Sequence, residues 1–257
     1  MPKNAERISC PFILDKTRSA IYNFCMVKRY KKDDAYSYAL GATVAMELLN
    51  RRPECARRIY VSPRSEVEAV TQRAEALGVP VTVGEKPFNI LSPKENCFVI
   101  AEFDKFACDI SSERHHVVLV NPSNSGNLGT IMRDVAAFDC ADLAVITPAA
   151  DPFDPKTVRA SMGAVFGIAH KCFVSFDEYL AAFPGRTVMP FMLGGAPFGR
   201  VNFDKNKKYS LVFGNEATGL PHDFDKFGAV KIEQSDKVDS LNLSVAVSVA
   251  LYRLYVS

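Results

Sequence analysis

Apolar and polar positions along this chain follow helical and strand rhythms in turn, and the rhythm resets near residue 35 and again near residue 117. Residues 1–34 carry little periodicity and read as an arm or lead-in. From Ala35 the pattern turns helical: Leu40, Val44, Leu48 and Leu49 fall on one face, and Pro53 marks the end. Residues 58–61 predict a strand. Ser65 with Glu68 forms a capping-box signature ahead of a helix running to Leu77, Gly78 stops it, and residues 79–83 predict the next strand. A short strand over 98–101 completes a small three-layer α/β unit spanning 35–108. The polar stretch 104–116, which contains the His115 and His116 pair, reads as a linker.

The second unit, 117–257, opens on the run VVLV bounded by Asn121 and Pro122, the pattern of a strand buried on both faces. A helix over about 126–138 and a strand over 143–146 follow. Asp154 before Pro155 is an N-cap with proline at the first helical position, and Ser175 with Glu178 makes another capping box. Strands near 188–193, 211–213 and 230–232 each run into glycine or polar residues, and Ser240 is placed to cap a last helix. Val245, Val247, Val249, Leu251, Leu254 and Val256 make that helix apolar on more than one face, which predicts burial all round, within the unit or against a second subunit. Strands alternating with helices predict a parallel sheet with helices on both faces.

Composition narrows the classes. With 48% hydrophobic and 23% charged residues over 257 positions the chain is built for substantial cores, not disorder. The net charge of +2 does not announce a polyanionic partner, so any such partner must meet a local basic patch. Seven cysteines without a C-x-x-C pair read as buried free thiols in a reducing compartment, and the methionines read as packing. The start MPKNAERISC lacks an apolar run, and Ser244, Ser248 and Arg253 interrupt the apolar C-terminal stretch, so the expectation is a cytoplasmic protein without a membrane span.

Three strings carry the candidate chemistry: NLGTIMR (127–133), VFGNEATGLP (212–221) and DSLNLSVAVSVALY (239–252). Each sets polar or glycine residues where a strand gives way to a loop or helix, the place where open α/β sheets bind ligands. On a helix Asn127 and Arg133 stand roughly 120° apart and could flank one groove. The amide-rich loop before them suits a phosphate or ribose at a helix N-terminus, although a cap and a solvated arginine would explain the same string. Gly214, Asn215 and Glu216 follow a strand directly, and Gly219 and Pro221 force a turn. Backbone groups exposed there can bind a planar heterocycle, and Glu216 could hold a cation or orient Arg133; an ordinary capped turn reads equally well. Ser240 needs no function as an N-cap, whereas an asparagine one turn inside a helix, as Asn242 is expected to be, suggests a polar role. A dinucleotide-binding reading lacks both the G-x-G-x-x-G fingerprint and a ribose-binding carboxylate.

With these strings in this order, residues 117–256 resemble the TrmH/SpoU family of the SPOUT class of RNA methyltransferases. The resemblance implies a parallel sheet with a deep trefoil knot, an exception to the usual rule against knots, and a homodimer that binds S-adenosylmethionine in the knot. It casts Asn127, Arg133, Glu216, Ser240 and Asn242 as catalytic residues. It assigns cofactor contacts to Leu193, Gly194, Gly195, Gly214, Asn215, Ile232 and Leu241. The preceding unit resembles the small ribosomal-protein-like RNA-binding domain that often precedes the knot, with residues 41–49 facing RNA. One departure stands out: many members have Ile-Pro-Met and a glycine before the third motif, where this chain has Ile232, Glu233, Gln234, Ser235 and Asp236.

The implied reaction moves a methyl group from S-adenosylmethionine to a ribose 2′-hydroxyl of rRNA or tRNA and requires no metal. A guanidinium is too basic to act as the base, so Arg133 is expected to hold the 3′ phosphate and to ease the developing alkoxide. Asn127, Ser240 and Asn242 would orient ribose and loop. The basic run Lys28, Arg29, Lys31 and Lys32, near Tyr22, Phe24, Tyr30 and Tyr36, either meets RNA or is a solvated arm. A noncatalytic RNA-binding or assembly protein, or a base methyltransferase, on the same fold would share these features.

Overall fold

The computed structural model describes residues 27–65, 67–92 and 96–257. Cys10, Tyr22, Phe24, Cys25 and most of the expected arm lie outside the described residues.

The first sheet contains β1 (Tyr36–Leu40), β2 (Ala56–Val61), β3 (Val81–Val83) and β4 (Val99–Asp104) in the order β1-β4-β2-β3. Helices α1 (Ala42–Arg51), α2 (Glu68–Ala76) and α3 (Lys86–Leu91) connect the strands. β4 runs antiparallel to β1 and β2, and β3 is parallel to β2. Side-chain alternation sorts the two faces: Ala39, Ile59 and Phe103 join the cluster of α1 and α2, while Tyr38, Leu40, Tyr60 and Ile100 pack with Phe88 of α3.

Two expectations fail here. Residues 36–40 form a strand where a helix was expected, because β4 offers them a continuous five-pair register and Gly41, at φ 107°, turns the chain before α1 begins. Ser65 does not cap α2: its N–H is spent on the Ser62 carbonyl at 3.2 Å, and the helix starts only at Glu68 with no side-chain cap. The strand expected over 79–83 is present as the shorter β3, whereas helix α3 and the extension of β4 to Asp104 go beyond what periodicity indicated.

The second sheet is entirely parallel. Its strands β5 (His115–Val120), β6 (Ala141–Ile146), β7 (His170–Phe173), β8 (Thr187–Pro197), β9 (Tyr209–Phe213) and β10 (Val230–Lys231) lie in the order β10-β8-β9-β5-β6-β7. Helices α4 (Ser125–Phe138), α5 (Pro155–Ala160), α6 (Phe176–Ala182) and α7 (Leu243–Tyr255) cover it. Within β5, Val117 and Leu119 face the cluster that includes α4 and α7, and Val118 and Val120 face the cluster that includes Tyr179 of α6. This two-sided burial is why the strand reads as an unbroken apolar run. Asp154 and Ser175 cap α5 and α6 as the sequence indicated.

The two sheets share one core. Phe103 of β4 meets Phe166 edge-on at 5.1 Å between ring centroids, and Phe106 and Phe153 extend the contact to the buried ring of His170. Desolvation holds His170 well below the ordinary histidine value, at about 4, so it is neutral at pH 7.

The His115 and His116 pair, expected in a linker, opens β5. His116 is fully buried in a directional polar chain below the sheet. Its Nε2 donates to the Ser111 carbonyl at 2.8 Å, which leaves Nδ1 to accept from the Tyr179 hydroxyl at 2.9 Å. That hydroxyl accepts in turn from Ser210 Oγ at 2.6 Å, and Ser210 accepts from Arg186 Nε at 3.0 Å. Every member is paired, which is what makes burial of the set tolerable. Burial, with Arg186 nearby, keeps His116 neutral with its value down at about 4. Of the described cysteines only Cys97 is buried and Cys172 is exposed, so the expectation of uniformly buried thiols fails.

Candidate functional site

The carboxyl ends of β5 and β9 place two loops side by side. Asn121 leaves β5 at φ 54°, a left-handed conformation asparagine tolerates, and its amide donates to the Pro148 carbonyl at 3.2 Å. Asn215, just past β9, donates to the Asn121 carbonyl at 2.8 Å. Asn124 then caps α4, accepting from the Asn127 N–H at 3.0 Å.

Glu216 closes this arrangement. One carboxylate oxygen accepts from the Ser123 N–H at 3.0 Å and the Ser123 hydroxyl at 2.9 Å. The other accepts from the Asn124 N–H and from Asn127 Nδ2, both at 3.1 Å. A carboxylate at a helix N-terminus gains from the free N–H groups and the helix dipole together. Partial burial pushes the Glu216 pKa up, but the donors from Ser123 and Asn127 outweigh it and hold the carboxyl below its ordinary value. Glu216 is thus committed to a clamp on α4, which matches the capped-turn reading; no hydrogen bond or ion pair joins it to Arg133 among the described residues.

The remaining face of Asn127 reaches the third string. Its Oδ1 accepts from Asn242 Nδ2 at 3.1 Å, while Asn242 Oδ1 accepts from the Ser244 N–H at 2.9 Å. Asn242 is therefore the N-cap of α7, and Ser240 lies outside the helix, exposed, contrary to the expected assignment. Asparagine fills the cap because one side chain can accept at the helix start and donate across to α4.

Beside this lip opens a cavity of about 790 Å³, a size suited to a nucleoside-scale ligand. Leu193, Gly194, Gly214, Asn215, Glu216, Ile232, Ser240, Leu241 and Asn242 all line it. Gly214 is required by close approach: a Cβ there would sit 2.2 Å from the Gly219 carbonyl carbon. Gly194 faces open space. Three expected residues are not on the wall. Gly195 is packed against β10, where a Cβ would come within 2.5 Å of the Val230 backbone; it belongs to β8, which runs on through Pro197 in place of the expected loop. Asn127 touches the lip only through Glu216 and Asn242. Arg133 projects from α4 into solvent, with no hydrogen-bond partner among the described residues.

Sequence reasoning missed two features of the motif region. Gly129 exists for the crossing of α4 and α5, since a Cβ would lie 2.5 Å from the Thr157 carbonyl oxygen. In the departing stretch Glu233 turns away from the cavity to accept from the Gly199 N–H at 3.1 Å, while Gln234 lines it. The last helix also differs from expectation. Val247, Ala250, Leu251 and Leu254 are buried, but Val245, Val249, Tyr252, Tyr255 and Val256 are exposed, so the helix is not buried all round. Among the described residues no group of three His, Cys, Asp or Glu is gathered as a metal would need, and no helix is long and apolar enough to cross a membrane.

A parallel α/β sheet with a ligand-sized cleft at its strand ends, rimmed by three asparagine-bearing loops, defines the class of protein. Residues 114–252, more than half of the chain, match the model of the SpoU rRNA Methylase family, and the chain belongs to that family. A curated relative, the 23S rRNA (uridine(2479)-2'-O)-methyltransferase of Streptomyces viridochromogenes, is 30% identical over 144 residues, 53% of this chain and 50% of the relative. The chain thus spans about half the length of that relative. The AdoMet-bound rRNA methyltransferase from Sinorhizobium meliloti has a similar structure, with a TM-score of 0.68 and 27% identity over 85% of this chain and 86% of that one. A structure described as giving insights into the 2-OH methylation of C/U34 on tRNA matches with a TM-score of 0.52 and 33% identity, over 56% of this chain and 96% of that chain.

Proposed function

We propose that this protein transfers a methyl group from S-adenosylmethionine to a ribose 2′-hydroxyl of rRNA or tRNA. The observation that carries this reading is the lip itself: Asn127, Glu216 and Asn242, from three separated strings, join by hydrogen bonds at the edge of the cavity. The names of the similar proteins support it.

The cavity fits the cofactor in size and chemistry. Leu220, Ile232, Leu241 and Leu243 offer apolar surface for a purine, and Gly194 within β8 and Gly214 just past β9 present backbone unobstructed by side chains of their own. When bound, the cofactor supplies a methyl group on a sulfonium, an activated leaving group. Asn127 and Glu216 act as positioning residues, because their polar atoms are already spent on each other and on α4 and α7. Arg133 and Ser240, exposed and uncommitted, are left to meet RNA: Arg133 grips a phosphate with its two-pronged guanidinium and steadies charge developing on the hydroxyl oxygen.

The same reading extends to architecture. Residues 117–257 form the methyltransferase domain, knotted where the segment around 230–246 closes against 191–194 and 214–220 to make one cavity. Residues 35–108 form a small RNA-binding domain. Two copies pair through the exposed apolar face of α7, and the protein works in the cytoplasm.

The test is calorimetric titration with S-adenosylmethionine and S-adenosylhomocysteine, followed by incubation of RNA with methyl-labelled cofactor and mass spectrometry of the nucleosides. One site per subunit and label in 2′-O-methyl nucleosides is the expected result. No binding would favour a noncatalytic RNA-binding protein, and label on a base would favour a base methyltransferase.

A further inference from the structure

The basic run at residues 28–32 is held against the catalytic unit by a specific set of contacts. The Tyr30 hydroxyl donates to the Asp151 carboxylate, in the loop that follows β6. Lys105 at the end of β4 lies over the Tyr30 ring at 4.7 Å, approaches Asp151 at 3.7 Å and donates to the Lys32 carbonyl at 2.6 Å. Lys32 Nζ reaches the Ala149 carbonyl at 3.4 Å, and Asp34 closes the turn on the Lys31 N–H at 2.9 Å. Asp151 and Lys105 are largely buried, at 12% and 17% side-chain exposure, so this is an anchored strap, neither arm nor linker.

From the strap, short hydrogen-bonded steps lead to the cleft. Ala149 adjoins Ala150, whose N–H donates to the Pro122 carbonyl at 2.7 Å, and Pro122 adjoins Ser123, which binds Glu216. The strap and the lip of the cavity are therefore neighbours on one rim. In this strap Lys28, Arg29 and Lys31 are exposed and have no ion-pair partner among the described residues. Of the carboxylates close by, Asp151 is spent on Tyr30 and Lys105, Asp154 on the cap of α5 and Asp34 on the Lys31 N–H, while Asp33 is exposed and offsets part of the strap's positive charge. A cluster of free cations whose backbone is pinned is a pre-oriented phosphate binder, because the ordering cost is met by Tyr30 and Asp151 before any ligand arrives.

We infer that the strap is a docking track for the RNA phosphodiester backbone, which crosses Lys28, Arg29 and Lys31 and passes over the 121–124 loop to bring the target ribose to the cleft. This rests on the methyltransferase reading and adds the route of the substrate. It also makes the junction between the two sheets, and not the first sheet alone, a source of RNA affinity.

The experiment uses the full chain and a fluorescein-labelled RNA stem-loop, with affinity measured between about 50 and 200 mM salt. The triple variant Lys28→Gln, Arg29→Gln, Lys31→Gln should lower the slope of log affinity against log salt by about 2 to 3. A matched control, Lys205→Gln, Lys207→Gln, Lys208→Gln, removes equal charge from the loop before β9 and should leave the slope unchanged. Tyr30→Phe removes only the anchor and should weaken binding with the slope preserved. Titration with S-adenosylhomocysteine should be the same for all variants, which separates failure of the track from failure of the cofactor reading. Equal slopes for both triple variants, or no change with either, would overturn the inference.

Discussion

Glu216→Gln isolates the clamp. The carboxylate takes two donors on each oxygen, and each side includes one backbone N–H, from Ser123 or Asn124. Glutamine offers an oxygen to one side and an NH₂ to the other. Serine can rotate its hydroxyl and Asn127 can flip its amide, but a backbone N–H cannot reverse, so one donor always faces another. Flipping Asn127 would also break its bond from Asn242. The loss of a charge-assisted bond at a partly solvated site, together with the helix-dipole contribution, amounts to ~2 kcal/mol. For a chain of this size that lowers Tm by about 4 to 8 °C. The pH dependence gives the sharper check. The folded-state pKa of Glu216 lies below its ordinary value, so its stabilisation is full above the unfolded carboxylate range and is lost as pH falls through the folded value. The gap between wild type and Glu216→Gln, measured by urea unfolding from pH 7 to about pH 3, should therefore close at the acid end. Equal stability at pH 7, or a gap that stays constant on acidification, would refute the clamp.

Three further outcomes follow from the geometry. Gly214→Ala drives a Cβ into the Gly219 backbone and should weaken S-adenosylhomocysteine binding at least tenfold, whereas Gly194→Ala, with open space around it, should keep the fold intact; calorimetry and thermal melts distinguish the two. Tyr179→Phe keeps the ring but removes the donor to His116 and the acceptor for Ser210, and should cost roughly 1 to 3 kcal/mol in urea unfolding; an unchanged midpoint would mean the buried chain contributes nothing net. Arg133→Lys should reduce turnover on RNA by about a hundredfold while leaving S-adenosylhomocysteine affinity intact, since Arg133 is not on the cavity wall; near-normal turnover would sink its phosphate-gripping role.

The parts of the fold legible in the sequence are those where local pattern and burial agree. VVLV reads as a doubly buried strand because both faces of β5 are covered, and Asp154 and Ser175 cap helices because the capping atoms lie within the same turn. Tertiary context decided the rest. Residues 36–40 carry a helix-compatible spacing, yet pairing with β4 outweighs it. His116 and Arg186 gave no local signal, because the polar chain they complete is assembled from β5, α6, β9 and two connecting segments. At the site, the strings located the cavity wall well but misjudged roles. Asn242 was expected inside α7 and is its cap, and Glu216, for which holding a cation, orienting Arg133 and capping a turn were all open, holds the start of α4. A sequence reveals which side chains are polar, but which of their atoms are already spent is a property of three dimensions.

The bond between Asn127 and Asn242 joins positions 115 residues apart. At a synthesis rate of about 5 to 20 residues per second, the two asparagines emerge roughly 6 to 23 s apart. Throughout that interval the first half of the lip exists without its counterpart, and Glu216 arrives before α7 can dock. Residues 240–243 and Ala246 line the cavity beside residues 191–194 and 213–220, so a nascent chain cannot complete that wall until the segment leading into α7 has been made.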